Sequence, residues 1–318
     1  MARIGKDIAF AKSILESSDL VAIPTETVYG LAGNAFDAKA IARIFEAKNR
    51  PYFDPLIAHT SSISRAKTFV QSFPEKAELL AKKFWPGPLT LLLPKKEIIP
   101  DIVTSGLDRV AVRVPNHPVA LKLLRSLEFP LAAPSANPFG YISPTQSFHV
   151  QAQLGEKIDY ILEGGACAVG IESTIVGFEK DQPVIYRLGG ISVEEIERVI
   201  GKVKINAHSS GDPVSPGMLK SHYAPFTRVE IGNIEALQAN NMDQKYGILA
   251  FSKKYLDDDS ENQYILSPDG DLNEAATRLF SGLRHLDALD LDIILTEYVP
   301  DEGLGRGIND RLRRASIK

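Results

Sequence analysis

Segments with helical and with strand periodicity alternate through the first two hundred residues, and this alternation constrains the fold more than any other feature of the chain. Between residues 7 and 16, Ile8, Phe10, Ala11, Ile14 and Leu15 form one apolar side and predict a helix. The run Leu20-Val21-Ala22-Ile23, closed by Pro24, predicts a short buried strand. Asp37 is placed to cap a helix reaching Lys48, on which Ile41, Ile44 and Phe45 recur at i, i+3, i+4. Further strands are expected at 55–59, 90–93, 110–114, 130–133, 160–162, 173–178 and 184–188, and further helices at 75–84, 118–127 and 193–200. Such an order builds an α/β or α+β domain around a central sheet.

Residues 201–227 break the pattern. Gly201, Gly211, Pro213, Pro216, Gly217 and Pro225 fall where apolar periodicity fades, as in an ordered linker. Beyond it, strands are expected at 228–231, 246–251, 264–266 and 293–298, with a long helix at 272–286 and a basic one at 307–316. This order predicts a small parallel α/β unit. At 318 residues the chain exceeds the usual size of one domain. The expected division is a domain over 1–205, a linker over 206–227 and a second domain over 228–318.

Composition removes several function classes. One cysteine rules out an internal disulfide framework and a cysteine-built metal cluster. The net charge of −4 divides into +2 over residues 1–205 and −6 over the rest, so neither part reads as a strongly salt-dependent nucleic-acid binder. Residues 1–20 show no secretory signal, and no apolar run is long enough to span a bilayer. A cytoplasmic location, away from membranes, is expected.

Lys48-Asn49-Arg50-Pro51 sets two cations beside a turn at the end of a predicted helix. Arginine's planar fork suits phosphate oxygens and lysine supplies a mobile point charge, although the same cations would also answer a helix macrodipole. Asp54 and His59 follow, readable as a salt-bridge partner and a strand-end histidine. The loop from Thr25 to Leu31 leaves a buried strand, where ligands gather in open α/β sheets. There Thr25, Thr27 and Tyr29 either bring hydroxyls to a ligand or form a polar turn around a packed tyrosine. Arg113 and Arg187 each sit inside an apolar strand and need an anion, whether an internal carboxylate or a substrate's.

Ala133-Pro134-Ser135-Ala136-Asn137-Pro138 places a hydroxyl and a carboxamide on one side of rigid, extended backbone. Ser143 reads as a ligand contact or a helix N-cap, and Glu172-Ser173-Thr174 as turn chemistry. Cations for phosphate, with small polar groups for orientation, are what a nucleotide pocket requires. No P-loop, no Gly-x-Gly-x-x-Gly after the first strand, no Ser-His-Asp arrangement and no transition-metal spacing is present.

In their order along the chain, Pro24-Thr25-Glu26-Thr27-Val28-Tyr29-Gly30-Leu31, Lys48-x-Arg50-Pro51, Trp85-Pro86-Gly87-Pro88-Leu89-Thr90, Val112-Arg113-Val114-Pro115 and Ala133-Pro134-Ser135-Ala136-Asn137 resemble the L-threonylcarbamoyladenylate synthases, the YrdC-like family. Ser215-Pro216-Gly217-Met218, His222-Tyr223-Ala224-Pro225, Glu302-Gly303-Leu304-Gly305 and Ile308-Asn309-Asp310-Arg311-Leu312 resemble its two-domain form. The resemblance implies an α/β fold: a YrdC-like twisted open sheet with flanking helices, followed by a smaller Rossmann-like C-terminal domain. It implies that L-threonine, bicarbonate (or CO2) and ATP give threonylcarbamoyl-AMP and pyrophosphate. A threonylcarbamoyl transferase complex would then modify the tRNA adenosine beside the anticodon.

By the same resemblance Lys48, Arg50, Asp54, Ser135, Asn137, Ser143, Arg187 and Tyr223 would serve ATP, with Lys48 and Arg50 catalytic. Thr27, His59, Arg113, Ala133 and Ser173 would hold L-threonine, Arg113 taking its carboxylate. Mg2+ would be bridged by phosphates without protein side chains, Tyr223 would fold back over the pocket to gate it, and a weak tRNA contact is permitted. Arg109 departs from the family's pattern, in which threonine is commoner. Two rivals remain. A carbamoyl-phosphate-dependent carbamoyl-adenylating module belongs to a larger chain with zinc-finger-like cysteines, which this chain lacks. An RNA-binding module without catalysis sits poorly with a first domain of charge +2.

Overall fold

The structure, a computed structural model, describes residues 1–207, 215, 222–257 and 260–317. Gly211, Pro213, Pro216, Gly217 and Met218 of the linker reading lie outside the described residues. The amino-terminal part is built on β1 (Arg3–Gly5), β2 (Val21–Ile23), β3 (Gly30–Asn34), β4 (Ile57–His59), β5 (Leu89–Pro94), β6 (Arg109–Arg113), β7 (Leu131–Ala132), β8 (Tyr160–Leu162), β9 (Thr174–Glu179), β10 (Gln182–Arg187) and β11 (Lys204–Ile205). They form one mixed sheet in the order β1-β8-β2-β3-β7-β4-β6-β5-β9-β10-β11.

Helices cover both faces of this sheet. On one side α2 (Ala38–Lys48), α4 (Glu75–Phe84) and α8 (Val193–Ile200) bury Ile41, Ile44, Phe45, Leu80 and Ile196 against Ala22 and Leu31. On the other, α1 (Ile8–Glu16) and α6 (Pro118–Ser126) bury Leu15, Leu123 and Leu124 against Val21, Ile23 and Ala32. Val21 and Ala22 thus face opposite layers, as a strand's period of two requires. Asp37 caps α2 at Lys39 N (2.9 Å), and Asn49, at φ 51°, ends it in the left-handed conformation.

Several short elements escape the sequence pattern: β1, β3, β11, α3 (Ile63–Phe69), α5 (Asp101–Thr104) and α7 (Ser147–Leu154). β3 is the instructive case. Its sequence Gly-Leu-Ala-Gly-Asn has no β-branched residue, but a Cβ on Gly33 would lie 3.1 Å from Leu20 and 3.2 Å from Ile44. The glycine that weakens the local strand signal is what lets α2 pack onto it. β11 lies where apolar periodicity has already faded, at the end of the expected 1–205 domain, and pairs in parallel with β10, so the large sheet runs to Ile205.

The carboxy-terminal part has β12 (Arg228–Ile231), α9 (Ile234–Asn240), β13 (Tyr246–Ala250), β14 (Gln263–Ile265), α10 (Leu272–Asp287), β15 (Ile293–Thr296) and α11 (Gly305–Ala315). Its sheet is wholly parallel, ordered β12-β15-β13-β14, as the strand–helix alternation predicts; α9 is the element that prediction omits. α10 and α11 reach across to the first part, where Phe280, Leu279 and Ile308 share a core with Val28, Ile142 and Ile171. Thr277 donates to Ala168 O (2.9 Å) and Tyr141 to Asp287 (2.5 Å) across the same seam. Among the described residues no helix is long and apolar enough to cross a membrane.

Candidate active site

A cleft of about 580 Å3, counting the solvent at its mouth, is lined by segments that leave β2, β4, β6, β7 and β10. β2 and β7 run one way through the sheet and β4, β6 and β10 the other. The site therefore has no single carboxyl edge of the kind expected of an open parallel sheet.

The end of α2 is tied to the Pro134–Pro138 segment from both sides. Lys48 is buried, and its Nζ donates to Ser135 O and Asn137 O (2.5 Å each), while its own carbonyl accepts from Phe139 N (2.8 Å). This is more than an answer to the helix dipole: the lysine locks a second segment in place. Burial, and then the Arg50 charge, hold its pKa well below the usual lysine range. Arg50 lines the cleft, pairs with the fully buried Asp54 (2.8 Å) and donates to Asp54 O (3.1 Å) and Pro55 O (2.9 Å). Asp54 orders the Arg50 loop from behind.

A polar row crosses β4, β6, β5 and β10. His59 and Arg113 are register neighbours at the ends of β4 and β6, and Thr90 lies opposite Arg113. Thr90 Oγ1 is 2.7 Å from Ser173 Oγ, which accepts from Arg187 Nη2 at 3.0 Å. A register shift between Ile185 and Arg187 re-aims that arginine into the cleft wall. Arg113 does have an internal anion, Glu26 at 2.7 Å, and donates to Thr27 Oγ1 at 2.8 Å and Gly87 O at 3.2 Å. Burial, helped by the Arg113 charge, pushes His59 down to about 3, so its ring is neutral at physiological pH.

The sequence-derived residues divide into two groups. Thr27, Arg50, His59, Arg113, Ala133, Ser135, Arg187 and Tyr223 line the cleft. Lys48, Asp54, Asn137, Ser143 and Ser173 stand behind that wall, each bonded to a neighbour in or next to it. Asn137 Nδ2 donates to Pro138 O (2.8 Å) and Tyr141 O (2.7 Å), rigidifying its own turn. Ser143 donates to Glu172 (2.5 Å), and the N-cap of α7 is Gln146, which removes the capping alternative for Ser143. Tyr29 turns its hydroxyl to Gly165 O (2.8 Å), away from the cleft, as a packed tyrosine. Arg109 stacks on Tyr186, with its guanidinium carbon 5.5 Å from the ring centre, rather than lining the cleft.

Sequence reasoning gave no site role to Glu26, which pairs with Arg113, to Glu172, which pairs with Arg311, or to Arg284 and Arg311, which arrive from α10 and α11. No local signal marks them, because their partners lie 87 to 141 residues away in the chain. Among the described residues no cluster of three His, Cys, Asp or Glu is placed to hold a metal ion. Glu26, Asp54 and Glu172 each face an arginine, so a Mg2+ ion here would find its oxygens on phosphate rather than on protein.

Two family models divide the sequence between them. The Sua5/YciO/YrdC model, described as "Telomere recombination", matches residues 13–189, and the Sua5 C-terminal model, described as "Threonylcarbamoyl-AMP synthase, C-terminal domain", matches 191–316. The chain belongs to the threonylcarbamoyl-AMP synthase family. A threonylcarbamoyl-AMP synthase of Pyrococcus abyssi is 44% identical, over 97% of this chain and 94% of the relative. One from Bacillus subtilis is 40% identical, over 97% and 92%. The crystal structure of P. abyssi Sua5 complexed with L-threonine superposes with a TM-score of 0.91 at 41% identity, covering 99% of this chain and 97% of that one. Family membership thus extends through both sheets and the seam between them.

Proposed function

We propose that the cleft makes threonylcarbamoyl-AMP and pyrophosphate from L-threonine, bicarbonate or CO2, and ATP. The observation that carries this reading is the convergence of Arg50, Arg113, Arg187 and Ser135 on one cleft in a chain of this family. Threonine's amine adds to CO2 and sheds a proton. A carbamate oxygen then bonds to the α-phosphorus as the bond to the departing pyrophosphate breaks. Such a step asks for alignment and charge neutralisation rather than a protein nucleophile.

In this reading Arg50 and Arg187 meet phosphate oxygens, and Ser135 orients the nucleotide on backbone held by Lys48. Arg113, already half-answered by Glu26, takes the threonine carboxylate beside Thr27, Ala133 and neutral His59. A Mg2+ ion would be held by the phosphates rather than by side chains and would supply charge neutralisation there. Tyr223 and His222 form the wall contributed by the linker, which supports a gating role for that segment. The product would pass to a threonylcarbamoyl transferase acting on tRNA, in the cytoplasm.

Pyrophosphate release tests the reading. It should require threonine and bicarbonate together; release driven by carbamoyl phosphate, or none with all three substrates present, would overturn it.

A further inference from the structure

Arg311 belongs to α11, in the carboxy-terminal part, yet it is fully buried against the large sheet's cleft. Its Nε and Nη2 both donate to Glu172 Oε2 (3.1 and 3.0 Å), and its Nη1 donates to Leu188 O (2.5 Å) and Gly307 O (3.3 Å). The guanidinium carbon lies 5.3 Å from the centre of the Tyr223 ring. The other Glu172 oxygen accepts from Ser143 (2.5 Å), so both oxygens are occupied. Glu172 and Arg187 line the same cleft, and no ion pair joins them among the described residues; Arg187 donates instead to the Ser173 carbonyl and hydroxyl.

We propose that Arg311 is a positioning residue for the nucleotide: by taking up Glu172 it keeps that carboxylate off Arg187, leaving Arg187 free for phosphate. The inference rests on the reading that Arg187 serves ATP. Burial would favour a neutral Glu172, but the charges of Arg311 and Arg187 and the Ser143 hydrogen bond more than offset it and hold the carboxyl ionised. Without Arg311, an anion at 172 would turn onto Arg187 or repel the triphosphate. Either outcome weakens ATP first, since the Arg113–Thr27 end is reached only through the Arg187–Ser173–Thr90 hydrogen bonds.

The test measures KM for ATP and for threonine by pyrophosphate release, with ATP dissociation constants by calorimetry, in R311A, R311K, E172Q and R311A/E172Q. R311A is expected to raise the ATP KM and dissociation constant by at least about 10-fold, the scale of an uncompensated buried charge. Its threonine KM should move far less, and R311K should recover part of the loss. Once Glu172 is neutral, Arg311 should become dispensable, so R311A/E172Q should bind ATP as E172Q does. Equal losses for both substrates, or a double variant much weaker than E172Q, would overturn the proposal. If R311A fails to fold, the comparison of R311A/E172Q with E172Q decides the question alone. A wild-type chain that binds ATP but releases no pyrophosphate would defeat the proposed reaction and leave the binding comparison standing.

Discussion

The two sheets use their arginines in opposite ways. In the large mixed sheet, Arg50, Arg113 and Arg187 turn inward to one cleft. In the small parallel sheet, Arg284 and Arg311 leave their own unit: one donates to the Ile142 and Ser143 carbonyls, the other to Glu172. Two surface clefts of the small sheet, along Phe226–Arg228 and Gln244–Tyr246, lie at the amino ends of its strands. Open α/β sheets hold ligands at the opposite end. A parallel α/β sheet, here ordered β12-β15-β13-β14, therefore does not by itself make a nucleotide site; the small unit's visible contribution is to brace the site of its neighbour.

The largest effects should come from cutting the inward-facing side of this contrast. Arg50→Ala removes the guanidinium facing buried Asp54 and is expected to cost about 3–5 kcal/mol of stability by urea titration, with turnover lost. Lys48→Met should leave the urea midpoint closer to wild type but lower turnover about 100-fold, because the Ser135–Asn137 backbone loses its tether. Full pyrophosphate release by both variants would remove them from the site. Arg113→Gln should raise the threonine KM by at least about 10-fold with little change for ATP. An effect confined to ATP would reassign that arginine.

The seam between the two parts can be loosened without touching either set of charges. At Gly170, φ is +79°, and a Cβ would meet Thr277 Cα at 2.3 Å and Ala276 O at 2.5 Å, both on the α10 backbone. Gly170→Ala should push α10 away at a cost of about 1–3 kcal/mol and lower activity. Unchanged kinetics and an unchanged unfolding midpoint would show that the small unit does not brace the cleft.

A smaller effect follows from buried histidines in the large sheet's domain. Burial pushes His59 down to about 3 and His149 to about 4. The unfolded chain takes up these protons first, so the stability is present above about pH 6.5 and lost as pH falls through the window towards 4 and 3. His149→Gln should flatten the fall in melting temperature between pH 7 and 5; an unchanged slope would assign the acid lability elsewhere. The exposed Lys245–Asp290 pair sets the floor, with Asp290→Ala expected to shift stability by less than about 0.5 kcal/mol.

What the sequence reveals follows the range of the interactions involved. α2 is legible from Asp37 to Lys48 because its cap, apolar stripe and C-terminal turn are local. α7 is not, since it buries Ser147 and His149 beside Val150 and shows no clean apolar stripe. Arg113 and Arg187 are legible as charges that need partners inside apolar strands. The identity of those partners is not legible, because Glu26 arrives from another loop and Arg187 meets the Ser173 carbonyl and hydroxyl, while Glu172 pairs with Arg311, 139 residues away. Lys48 is legible as a cation, but its hold on two carbonyls 87 and 89 residues away depends on the folded chain.

The most direct measurement supplies carbon-labelled bicarbonate, L-threonine and ATP, and separates the nucleotide products by mass. A single species carrying the labelled carbon, the threonine and the AMP moiety is expected, formed in step with pyrophosphate. AMP or ADP accumulating with the label left in solution would contradict the claim that one cleft joins all three.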